Sequence, residues 1–157
     1  MRTTHESRSE SETRRIARTF AKTLQPGDVV ALYGELGSGK TQFVKGVCEA
    51  FGVAAHVTSP TFVLQNRYEG TAADGRPILL YHFDLYRLRT AEEIYDLGYE
   101  EFLFGDGICL VEWAERLGPL LPQSRFDVTL DLGLEEHIRH IAIVGMLTTG
   151  GVERKLS

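Results

Sequence analysis

The chain has 157 residues, 43% of them hydrophobic and 25% charged, the size and make-up of one ordinary globular domain. Its formal net charge of −5 argues against a broadly basic nucleic-acid surface. The polar N-terminus, MRTTHESRSESETRR, lacks the apolar core of a signal peptide, and no apolar run reaches the roughly 18 residues of a membrane span, so a cytoplasmic location is expected.

In chain order, residues 1–10 are polar and expected to be frayed and flexible. A first helix follows: Ser9 and Glu12 have capping-box spacing, and Ile16, Ala17, Phe20, Ala21 and Leu24 recur on one helical face. Pro26-Gly27 ends it. DVVALYG reads as a buried strand. A second helix is expected from Lys40 to Phe51, with Gly52 just past its end. VTSPTF reads as a loop entering a strand, since Pro60 does not suit a central strand. TAADGRP is a turn, and ILLYHFDLY is a strand. TAEEIYDLG and YEEFL are short helical turns. GICLVEW is an apolar strand, and WAERLGPLLP a short helix stopped by Pro122. FDVTLDLG and IRHIAIVG are two late strands joined by a turn at EEH. Strands alternating with helices predict an α/β fold with a partly parallel sheet and an antiparallel portion in the late strands. The expected layout is a single domain over residues 11–146 and a flexible tail over 147–157. Cys48 and Cys109 lie in apolar stretches and read as buried reduced thiols, with no Cys/His cluster to suggest zinc.

The chemistry concentrates in GELGSGKT, residues 34–41. It satisfies G-x-x-x-x-G-K-[ST] between a strand and a helix, the context a phosphate-binding loop requires. Glycines let successive N–H groups turn toward phosphate oxygens. The following helix adds its positive end. Lys40 can bridge the β- and γ-phosphates, and the Thr41 hydroxyl can ligate Mg²⁺. Such a loop needs a carboxylate for the metal or its water, and two apolar strands end in one: Asp84 and Glu112. Either could instead be a surface acid. Thr58, Ser59 and Thr61 occupy the loop where many such proteins sense the γ-phosphate, although Ser and Thr beside a proline also serve ordinary turns. His82 reads as a packed core histidine rather than a ligand. Trp113 is core or interface. Arg87 and Arg116 are finger candidates only by nearness to the two carboxylates. No N/T-K-x-D stretch is present, which disfavours GTP.

These residues match a known pattern. PGDVVALYGELGSGKTQFVKG, VTSPTFVLQNRY, YHFDLYRL, DLGYEEFL and LVEWAERL, in that order and spacing, resemble the TsaE family over about residues 9–142. Ser38 stands where alanine is common in that family. The resemblance implies a P-loop NTPase fold: a three-layer α/β sandwich with a mixed, mostly parallel central sheet flanked by helices. It implies an ATPase using ATP and Mg²⁺ that works with the TsaB and TsaD proteins. Together they attach threonylcarbamoyl to the adenosine next to the anticodon in tRNAs reading codons that start with A. The ATPase would reset the complex rather than make the modified base, and tRNA would be met only through the partners. By resemblance, Gly37, Ser38, Gly39, Lys40, Thr41 and Gln42 hold the nucleotide, and Thr41, Glu112 and Asp84 serve the metal. Asp84, Glu112, Lys40 and Thr61 serve hydrolysis, Thr61 from the switch loop. Trp113, Thr13 and Arg139 reach the nucleotide. The alternatives from the residues alone are a small-molecule or nucleoside kinase, for which RLRT at 87–90 is the nearest thing to an arginine lid, and a nucleotide-dependent scaffold. The YEEFL region and the switch loop are the expected partner face.

Overall fold

A computed structural model describes residues 2–60 and 65–146. The elements are β1 (Arg2–Ser7), α1 (Glu10–Ala21), β2 (Val29–Tyr33), α2 (Lys40–Ala50), β3 (Gln65–Thr71), β4 (Pro77–Asp84), α3 (Ala91–Asp96), α4 (Tyr99–Leu103), β5 (Ile108–Glu112), β6 (Arg125–Leu132) and β7 (Arg139–Met146). The seven strands form one sheet in the order β1-β7-β6-β2-β5-β4-β3. The four central strands, β6, β2, β5 and β4, are parallel. Antiparallel strands extend both edges. The mixed sheet flanked by helices is the fold class the sequence predicts.

Side-chain alternation builds a core on each face. On β2, Val30 and Leu32 join Phe20, Phe43, Val44 and Val47 from α1 and α2 on one face. Val29 and Ala31 join Ile94, Tyr99 and Leu103 from α3 and α4 on the other. Both faces of β2 and β5 are covered, which is why these strands read as continuous apolar runs. Helices α1 and α2 pack closely at Gly46, where an added Cβ would lie 2.4 Å from Arg14 O and 2.6 Å from Ala17 Cβ.

The predicted caps form. The Ser9 hydroxyl accepts from Glu12 N–H at 3.0 Å, but the Glu12 carboxylate reaches back to Arg8 N–H rather than to Ser9. Gly52, at φ +67°, lets its own N–H reach Glu49 O and that of Val53 reach Cys48 O, the paired bonds of a Schellman ending.

Two expectations are corrected. Residues 2–7 are not frayed; they form β1, pairing antiparallel with β7 from Arg2↔Val144 to Ser7↔Arg139. Backbone pairing to the β7 edge holds this strand, and hydrophobic patterning does not register such pairing. WAERLGPLLP is not one helix but two 3₁₀ turns, Ala114–Arg116 and Gly118–Leu120. Gly118 takes φ +50° and Pro119 has no N–H to give, so helical bonding cannot run through. The expected flexible tail, 147–157, lies outside the described residues, as does Thr61. Among the described residues, no helix is long and apolar enough to cross a membrane.

Candidate active site

The loop 34–39 leaves the C-terminal end of β2 and turns into α2. Gly34, Gly37 and Gly39 take φ of +151°, +81° and +105°, a region L side chains resist. At Gly34 a Cβ would come within 2.5 Å of both Leu130 O and Ser38 Oγ. The first intrahelical bond of α2 is Phe43 N–H to Gly39 O. The N–H groups of Lys40, Thr41 and Gln42 therefore lie in the first turn, where the helix supplies no acceptor and favours an anion.

Lys40 is only 5% exposed. Its Nζ donates to Gly34 O at 2.6 Å and Glu35 O at 3.0 Å, and stands 4.1 Å from the centroid of the Trp113 ring. Burial lowers its pKa, and the charges of Glu112, Glu115 and Asp84 oppose that shift. The Thr41 hydroxyl donates to Glu112, 3.0 Å from Oε1 and 3.1 Å from Oε2, and lies 3.0 Å from Ser59 Oγ.

Glu112 and Asp84 are opposite residues on the parallel pair β5 and β4, so both predicted carboxylates arrive at the loop. Burial raises the pKa of Asp84. The Tyr86 N–H, 3.1 Å from Oδ1, works against this, as do His82 and Lys40, while Glu112 adds to it. Trp113 follows Glu112 and is the one non-glycine residue with positive φ among the described residues, at +58°. That turn swings its ring off the strand toward Lys40 and against Tyr86, 5.0 Å between centroids.

Two cavities flank the loop. One, about 260 Å³, is bordered by Lys40, Thr41, Ser59, Asp84, Glu112 and Trp113, with Tyr86 and Leu36 at its rim. The other, about 340 Å³, is bordered by Thr13, Ser38, Glu136, His137 and Arg139. Glu10, Gly37, Gly39 and Gln42 line both. Arg139 donates to Gly37 O at 3.1 Å, tying the start of β7 to the loop. The Thr13 and Ser7 hydroxyls are 2.7 Å apart, and Gln42 accepts from Arg14 at 2.6 Å. A larger groove, about 840 Å³, lies near the start of β2, bordered by Gly27, Tyr99, Phe104 and Leu121. It presents no Lys, Arg or His to an anion, so the chemistry places the site at the glycine loop and not in the larger space.

The structure thus brings Lys40, Thr41, Asp84, Glu112 and Trp113 to one cavity and Thr13, Ser38 and Arg139 to the other, with Gly37, Gly39 and Gln42 lining both. Arg87 and Arg116 border neither. Three neighbours escaped the sequence reading. Tyr86 packs against Trp113 with the rings tilted by 41°, and Glu10 lines both cavities. His82, read as plain core, has its Nε2 2.5 Å from Glu112 Oε2. Strand parity gave a signal for the last: His82 is two residues from Asp84 and shares its face.

The residues suit a nucleotide with Mg²⁺. The glycine turns leave a backbone cradle, with nothing within 4 Å of a Cβ placed at Gly37, and a cation and a helix start face it. Among the described residues no group of three or more His, Cys, Asp and Glu could hold a metal alone.

Residues 7–141 match the family described as threonylcarbamoyl adenosine biosynthesis protein TsaE. The chain belongs to the TsaE family. It is 40% identical over 126 residues to the tRNA threonylcarbamoyladenosine biosynthesis protein TsaE of Treponema pallidum, covering 80% of this chain and 87% of that one. It is 44% identical over 119 residues to the protein of that name in Bacillus subtilis, covering 76% and 71%. The crystal structure of Bacillus subtilis YdiB superposes with a TM-score of 0.75 at 32% identity, covering 93% of this chain and 86% of that one. The fold is that of a P-loop NTPase.

Proposed function

We propose that this TsaE-family chain is a Mg²⁺-dependent ATPase that acts as an accessory to TsaB and TsaD. Its role is in the threonylcarbamoyl modification of the adenosine next to the anticodon in tRNAs reading codons that start with A. The observation that carries the ATPase reading is the facing of Thr41 on Glu112, 3.0 and 3.1 Å, directly behind a lysine on a glycine loop. The biosynthetic role follows the names of the relatives.

The chain's own groups divide the work. Loop and α2 amides donate to the phosphates, and Lys40 trades its carbonyl partners for phosphate oxygens. Thr41 and Glu112 would hold Mg²⁺, which neutralises charge on the phosphates when bound. Asp84, opposite Glu112 on the neighbouring strand, would orient the attacking water. Trp113 and Tyr86 wall the cavity and exclude bulk water. Neither of the two finger candidates borders it, so a partner is the expected source of a second cation.

The test is release of free phosphate from ATP by the purified chain with Mg²⁺, with and without TsaB and TsaD, beside Lys40→Ala. Slow turnover alone, a rise on the order of 10³-fold with partners, and none in the variant are expected. Equal turnover with and without partners would overturn the accessory role. Phosphate passed to an added acceptor would favour a kinase.

A further inference from the structure

We propose that His82 is a positioning residue for the metal side of the site, whose Nε2–H fixes Glu112 so that both carboxylate oxygens face the Thr41 hydroxyl. The inference rests on the nucleotide-hydrolysing reading above.

His82 and Glu112 point to the same face of the sheet from adjacent parallel strands. His82 is 0% exposed and Glu112 2%. A carboxylate so enclosed needs donors. Glu112 has two donor side chains among the described residues: the Thr41 hydroxyl and the His82 ring, 2.5 Å away. The hydroxyl turns on a single bond and is the group a metal would engage. The imidazole is a rigid plane, packed near the Tyr68 ring at 6.5 Å between centroids. It is the donor that keeps its direction whatever Thr41 does. Its Nδ1 is buried and meets no described partner. A proton there would be an orphaned N–H, so the ring carries its proton on Nε2. This is the hydrogen bond to a ligating carboxylate that tunes metal sites from behind.

The competing account is a core histidine that merely satisfies a buried acid. Three variants of the full chain separate the two. His82→Gln presents an N–H near the Nε2 position, His82→Asn stops short of it, and His82→Leu has no donor. Fluorescence of Trp113, the single tryptophan, reports ADP binding without Mg²⁺ and the Mg²⁺ concentration needed for half-response. His82→Asn and His82→Leu are expected to raise that concentration about 10- to 100-fold while leaving Mg²⁺-free ADP affinity essentially unchanged. His82→Gln is expected to restore most of the loss. If His82→Leu fails to fold, the Asn and Gln pair carries the comparison. An unchanged Mg²⁺ requirement in His82→Asn overturns the proposal, as does a Gln variant as impaired as Asn, or an equal loss with and without Mg²⁺. A ¹⁵N-histidine spectrum placing the proton of His82 on Nδ1 overturns it too. A wild-type chain that responds to neither nucleotide nor Mg²⁺ overturns the hydrolysis reading and this inference together. A responsive wild type whose His82 variants need no more Mg²⁺ than it does overturns the His82 role alone.

Discussion

Two glycines in one loop should fail in opposite ways when given a methyl group. At Gly34, φ is +151° and a Cβ would stand 2.5 Å from Leu130 O. Leu130 lies in β6, paired with Ile141 of β7 just past the last β2 pair at Thr129, so its backbone is held in the sheet and has little room to retreat. Overpacking against fixed atoms costs about 1–3 kcal/mol, and a sparsely populated backbone region about 1–3 more. Gly34→Ala should therefore lose roughly 2–6 kcal/mol from a total of about 5–15. At Gly37, φ is +81° and nothing lies within 4 Å, so only the backbone term of about 1–2 kcal/mol applies. Gly37 borders both cavities, however, and a methyl there stands where a nucleotide would lie. A clash of about 1–3 kcal/mol weakens binding roughly 5- to 150-fold. Urea unfolding and ADP titration of both variants check the pair. A Gly34→Ala midpoint equal to that of Gly37→Ala would refute the loop geometry. Unweakened ADP binding by Gly37→Ala would refute the placement of the nucleotide.

Asp84→Asn keeps an acceptor for the Tyr86 N–H and removes the charge. The folded-state pKa of Asp84 is raised, so the native state holds that proton more tightly than the unfolded chain. Its contribution is favourable at acid pH and is lost as pH rises from about 3.8 through the folded value. The variant should be the more stable protein at pH 7, with the gap shrinking at pH 4, while hydrolysis is abolished. A less stable variant at pH 7 in urea titrations would contradict this. Ser38→Ala removes a buried hydroxyl with no described partner. It should gain about 1 kcal/mol in thermal unfolding with nucleotide affinity unchanged, and a loss of stability would show that the hydroxyl is bonded. Gly46→Ala improves helix propensity by about 1 kcal/mol but drives a methyl into Arg14 O and Ala17. Net destabilisation of up to about 2 kcal/mol is expected by calorimetry, and a stabilised variant would mean that α1 and α2 are not so close.

The glycine loop was legible because each glycine, Lys40 and Thr41 answer to a local need at a fixed offset. Strands β2 and β5 were legible because burial on both faces makes them apolar without interruption. β1 was not: its sequence, RTTHES, carries no apolar stripe, and only the unpaired edge of β7, far along the chain, gives it a partner. His82 was half legible. Its burial follows from ILLYHFD, but its contact with Glu112 depends on which strand lies beside β4, and β5 arrives there by a crossover. Trp113 was undecidable for a different reason. Whether it continues the strand or leaves it turns on one dihedral, and the φ of +58° it adopts is one that a tryptophan does not advertise.

The register of two strands is what makes these separate residues a site. β4 and β5 pair with His82 opposite Leu110 and Asp84 opposite Glu112. On that register His82, Asp84 and Glu112 all face α2, whose first turn holds Lys40 and Thr41. Phe83 and Val111 face the other way, into the core under α3 and α4. Sliding β4 by one residue would reverse every side chain on it. Phe83 would then meet the phosphate loop, and His82 and Asp84 would be forced among Ile94, Tyr99 and Leu103. Burying an unpaired acid and imidazole there is costly, so the register is protected by the apolar face and not by the polar one. The hydrophobic residues that precede the two acids, Phe83 and Val111, therefore do functional work at a distance. They hold Asp84 and Glu112 side by side at the strand ends, and a polar substitution at Phe83 would disorder the site before it touched a nucleotide.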